Sequence, residues 1–74
     1  MLSAVEEFLQ LLGPSMMEYH PSLVKCGVTS IQELRMLACL SEDQAELFLQ
    51  QDVGMKRLHY ITMRGALSML RLAM

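Results

Sequence analysis

Helix-stopping residues fall at four places in this 74-residue chain, Gly13-Pro14, Pro21, Gly27 and Gly54, and between them apolar residues recur at helical spacing. Proline lacks the amide that continues a helical ladder, and glycine accepts the left-handed geometry that closes one. The chain is therefore divided into short helices, with room for one long helix only after Gly54. No segment alternates apolar and polar residues as a half-buried strand would, and no internal repeat or low-complexity tract appears.

The first helix carries Val5, Phe8, Leu9 and Leu12, with Ser3 and Glu6 spaced as a capping box. Residues Ser15 to Tyr19 can form a short turn. His20-Pro21 should interrupt it, because a residue preceding proline is driven out of the α region. Pro21 then suits the first position of a second short helix bearing Leu23 and Val24, which Gly27 ends. Thr29 or Ser30 can cap a third helix, with Glu33 reaching back and Ile31, Leu34, Leu37 and Ala38 turned inward. Ser41-Glu42-Asp43-Gln44 is a second capping box, opening a fourth helix through Leu47, Phe48 and Leu49. Residues Gln50 to Val53 read as a loop and Gly54 as the opening of the last helix, about 20 residues or 30 Å long. On that helix Tyr60, Met63, Leu67, Leu70 and Met74 form an apolar stripe, and Arg57, Arg64 and Arg71 form a basic one beside it. Leu58, Ile61, Met69 and Leu72 add more apolar surface than a solvated helix needs, which implies extensive burial or a second contact. The expected fold is all-α, a compact five-helix bundle with a long C-terminal helix, formed by residues 1–74 as one domain.

Hydrophobic residues make up 53% of the chain, too many for a disordered segment, and with Trp absent the core must be filled by Leu and Met. The eight methionines suit a soft interior or an adaptable surface. Cys26 and Cys39 lack metal-ligand spacing and, without a basic secretory leader, read as reduced thiols. No stretch of about 18 uncharged apolar residues is present to span a bilayer. These features lead us to expect a soluble, cytoplasmic chain without a membrane contact. His20 and His59 lie on separate elements, with no HExxH, CxxC, phosphate loop or nucleophile elbow to give them chemical roles. We expect no enzyme activity, cofactor, metal or small-molecule substrate.

Charge is unevenly distributed. Eight acids against Lys25 and Arg35 leave residues 1–52 at −6, and four bases without an acid put residues 53–74 at +4, for a net −2. A molecule with two such poles attracts copies of itself or two separate partners. If Lys56 and Arg57 were neutralised within the molecule by Glu42, Asp43 or Glu46, the poles would vanish.

The order of landmarks resembles that of a sterile alpha motif (SAM) domain over essentially the whole chain. The resemblance is carried by Phe8-Leu9 and Leu12-Gly13, by Tyr19, Leu23 and Val28, by Leu34, Leu37, Leu40 and Asp43, and by Leu47, Leu49 and Gly54-Met55-Lys56-Arg57. It implies a five-helix interaction domain, cut from a larger signalling or scaffold protein, that oligomerises with itself or another SAM domain. The resemblance further implies two contact surfaces. A mid-loop surface would use the acids Glu42, Asp43, Glu46 and Asp52, and an end-helix surface would use Gly54, Met55, Lys56, Arg57 and Arg64. Gly54 would admit a partner's backbone and Met55 would form the apolar centre between charges.

Some SAM relatives bind RNA hairpins through basic residues near the fifth helix, which makes RNA the alternative partner. Against it, the acidic remainder repels phosphate and Tyr60, the one aromatic near the bases, falls on the inward stripe.

Overall fold

The computed structural model describes residues 2–73 and contains five α-helices with no strand among those residues. Helix α1 (Ala4–Leu12) begins as its sequence dictates. The Glu6 amide donates to Ser3 Oγ (3.2 Å) and the Ser3 amide donates to Glu6 Oε1 (3.1 Å), closing the capping box. Two hydrogen bonds from Ser3 hold the Glu6 carboxyl below the ordinary 4.5 of a glutamate, the backbone bond being the larger cause.

Pro14–Tyr19 forms a 3₁₀ turn that runs directly into α2 (His20–Lys25). The expected interruption at His20-Pro21 does not occur, since His20 is helical at φ −56°, ψ −50°. The pre-proline restriction is a bias that packing can overcome. Met16, Tyr19 and Leu23 are buried on this continuous segment, and Pro21 sits in the first turn, where a missing amide leaves no bond unmade. Helix α2 ends in a Schellman motif: the Gly27 amide donates to Val24 O (3.1 Å) and the Val28 amide donates to Leu23 O (2.8 Å). This closure requires the positive φ of Gly27, +96°, and delivers Val28 into the core.

Helix α3 (Ile31–Ala38) starts at an extended Ser30, but no side chain caps it. The hydroxyls of Ser30 and Thr29 instead donate to Glu33 Oε1 at 2.8 and 3.0 Å, and these bonds lower the Glu33 pKa, Ser30 contributing most. Leu34, Leu37 and Ala38 turn inward as expected, whereas Ile31 is 36% exposed. Position 31 is the first helical residue, about one turn before Leu34 and two before Ala38, so it lies at the rim.

Helix α4 (Glu42–Glu46) is capped by Ser41, whose Oγ accepts from the Gln44 amide at 3.3 Å. Leu47–Asp52 continues α4 as a π-helical stretch, so Gln50 to Asp52, most of the segment assigned to a loop, is helical as well. The Val53 amide donates to Phe48 O (2.9 Å), the five-residue spacing of that geometry, and the Met55 amide donates to Leu49 O (2.9 Å). Ala45, Leu49, Val53 and Met55 are all buried, so core contact maintains a backbone that local propensity does not favour.

Helix α5 (Arg57–Leu72) begins three residues later than expected and has 16 residues. Gly54 turns the chain at φ +85° instead of opening the helix, and Lys56 is the N-cap. Tyr60, Met63 and Leu67 are buried and Leu70 is half-buried against the core; Met74, also assigned to this stripe, lies outside the described residues. One cluster, drawing on every helical segment except α4, includes the fully buried Leu9, Leu23, Leu34, Leu49, Met63 and Leu67. Burial of each such side chain contributes about 1.5–3 kcal/mol. The hydroxyl of Tyr60 is the exception in this apolar interior, buried with no hydrogen-bond partner. No described helix is long and apolar enough to cross a membrane.

Candidate interaction surfaces

The start of α5 is held by a side chain from far away in sequence. The hydroxyl of Tyr19, mostly buried beneath α5, accepts a hydrogen bond from the Lys56 amide at 3.3 Å and shares a second hydrogen bond with His59 Nδ1. The two rings pack edge to face with centroids 5.3 Å apart. Because Lys56 has no side-chain cap of its own, the Tyr19 hydroxyl and the buried Met55 are what set the direction in which Lys56 and Arg57 leave the body.

Met55 is therefore not the apolar centre of a contact surface. It is only 4% exposed and belongs to the core. The exposed apolar neighbour of Lys56 and Arg57 is Leu58, one helical position past the pair. Gly54 is exposed, but its positive φ gives it a conformational reason to be glycine that involves no partner. Arg64 is half-buried and Arg71 exposed along the same helix.

On the acidic side, Glu42, Asp43 and Glu46 are exposed on α4, and Glu42 and Asp43 lie in its first turn, where the helix dipole favours them. Asp52 is exposed at the end of the π-helical stretch, and its carbonyl accepts a weak bond from the Cys26 thiol (3.6 Å). Cys26 and Cys39 are free thiols.

The two charged groups meet at one point. Arg57 Nη1 lies 3.9 Å from Glu46 Oε1 and 3.5 Å from Gln50 Oε1, while its guanidinium sits 5.6 Å from the Tyr60 ring centroid. Both partners of the ion pair are well exposed, so it contributes at most about 1 kcal/mol. Arg57 and Glu46 thus form a seam between surfaces that the sequence assigns to opposite poles. Lys56, Arg64, Glu42, Asp43 and Asp52 make no ion pair among the described residues, which leaves an uncompensated base group and an uncompensated acid group.

A shallow, largely apolar groove of about 180 Å³ runs past Leu40, two residues before Glu42, with Glu33 as its one acidic lining residue. Val28, Met36, Leu37, Leu40 and Phe48 line it, and Leu40 and Phe48 bracket Glu42, Asp43 and Glu46 in the chain. No three His, Cys, Asp or Glu side chains gather into a possible metal site among the described residues. Tyr19 as a clamp for α5 was not legible beforehand, since it joins residues with no periodic relation, whereas the Arg57–Glu46 contact is one of the pairings named above as erasing the poles, and it occurs for Arg57 but not for Lys56. No family model, curated protein or solved structure matches this chain.

Proposed function

We propose that this chain is a protein-interaction module of the SAM type, which associates with copies of itself or with a second such domain in an intracellular signalling or scaffold protein. The basic start of α5, Lys56 and Arg57 with exposed Leu58, engages the acidic turn of α4 on a neighbour, Glu42 and Asp43 with the adjacent groove. The observation that carries this reading is the pairing of an exposed apolar residue with an uncompensated base on one surface, and an apolar groove with uncompensated acids on another. Opposite charges orient and accelerate association, and apolar burial at Leu58 supplies affinity. Because the two surfaces differ, the contact is heterologous and copies add head to tail, closing into a ring or extending as a filament. An RNA-binding reading has less support: Tyr60 is buried and Glu46 sits beside Arg57, which removes the stacking aromatic and weakens the phosphate site.

Light scattering across concentration tests the proposal at low salt. Wild type should grow in mass with concentration, Lys56→Glu and Asp43→Lys should each abolish that growth, and their mixture should regain a single further pairing and no more. A mass that neither substitution changes would remove the reading.

A further inference from the structure

Helix α5 has a second apolar face that none of the described residues covers. Leu58 is 71% exposed, Ile61 52%, Met69 70% and Leu72 82%. With about 100° between successive residues, all four project within about 40° of the direction of Gly65, on the side opposite the buried stripe of Tyr60, Met63 and Leu67. The only other residues within about 60° are Thr62 and Ser68, so the face carries no charge. Thr62 has its hydroxyl bonded to Leu58 O (3.1 Å), which leaves its methyl for contact.

The arrangement has an internal symmetry. Leu58 and Leu72 lie seven residues before and after Gly65, and Ile61 and Met69 lie four before and after it. We propose that this face binds the same face of a second copy, with the two α5 helices antiparallel and related by a two-fold axis passing beside Gly65. In that register Leu58 meets Leu72 of the partner copy and Ile61 meets its Met69. The members of each pair lean to opposite sides of the seam, by about 20° and about 40° respectively, so the side chains interleave instead of colliding. Gly65 stands at the crossing, where a Cβ would have no neighbour within 4 Å in its own chain, and lets the helix axes approach. A patch on the order of 500 Å² per copy, about 1,000 Å² for the pair, reaches the lower bound of specific interfaces. A two-fold contact of one surface with itself needs no other protein to be complementary.

Leu58 cannot serve this contact and the head-to-tail one at once; the existence of this one does not depend on the other, and the charge pattern separates the two. In the antiparallel pair the edges bearing Arg57, Arg64 and Arg71 fall on the same side of the seam, so like charges repel and salt strengthens the dimer. Salt weakens contact between Lys56 and Asp43.

Sedimentation equilibrium in about 0.5 M NaCl, where screening suppresses the acid–base contact, is the decisive measurement. A discrete dimer is expected whose Kd rises at least about tenfold in Ile61→Glu and Leu72→Glu, with the unfolding midpoint of the dilute monomer unchanged because both sites are exposed. Lys56→Glu should leave this dimer intact. In chains with Cys26→Ser and Cys39→Ser, a short bismaleimide should join Leu58→Cys to Leu72→Cys when the two variants are mixed. Leu58→Cys alone should not crosslink to itself, since its copies stand about 21 Å apart in this register. A monomer at all concentrations, a dimer indifferent to Ile61→Glu, self-crosslinking of Leu58→Cys or no crosslink in the mixture would each overturn the proposal.

Discussion

Replacing Tyr19 with Phe removes one oxygen atom and with it both bonds that clamp the start of α5. The ring remains, so the apolar burial of Tyr19 against the core and its edge-to-face contact with His59 are largely preserved. What is lost is the bond to His59 Nδ1 and the bond from the Lys56 amide. Each is worth about 0.5–1.5 kcal/mol net, and both orphaned groups lie near enough to the surface for water to replace part of the loss, so the expected destabilisation is about 1–2 kcal/mol. For a domain of this size that lowers Tm by roughly 4–16 °C. Thermal unfolding by circular dichroism measures the shift. Amide exchange locates it: protection should fall at Lys56 to Tyr60 before it falls in α1 or α3. His59→Ala in the Tyr19→Phe background should add less than His59→Ala does alone, because the shared bond is already gone. An unchanged midpoint, or strict additivity of the two substitutions, would refute the clamp.

Gly65→Ala should raise stability by about 0.5–1 kcal/mol, seen as a higher denaturant midpoint at a concentration where the chain is monomeric, because Gly65 is helical and a Cβ there meets nothing. Leu67→Ala, in contrast, empties a fully buried site and should cost about 2–5 kcal/mol, a large part of the total stability of a domain this small. Stability should decline in acid. Glu6 and Glu33 have lowered folded-state pKa values, so their contribution is present above the ordinary 4.5 and is lost as pH falls below it through the folded values; Ser3→Ala with Ser30→Ala should flatten that decline in a pH series of urea melts. A double-mutant cycle on Glu46 and Arg57 should return no more than about 1 kcal/mol, shrinking further with added salt.

Local chemistry alone set most of the elements. The capping box at Ser3, the Schellman closure that Gly27 permits, the inward faces of α1 and α3, and the Tyr60, Met63 and Leu67 stripe all follow from interactions within about one turn of chain or from a period of 3.6 residues. The tertiary structure decided where those rules were outvoted. Packing of Met16, Tyr19 and Leu23 carried a helix through His20-Pro21, and burial of Leu49, Val53 and Met55 turned an expected loop into a π-helical stretch and moved the start of α5 to Arg57. The same burial took Met55 out of the surface and left Leu58 in its place. The charge imbalance between residues 1–52 and 53–74 was plain in the sequence, but not that Arg57 would reach Glu46 while Lys56 would not. Local order depends on neighbours in the chain, whereas the composition of a surface depends on which distant segments compete for a limited interior, and no period in the sequence records that competition.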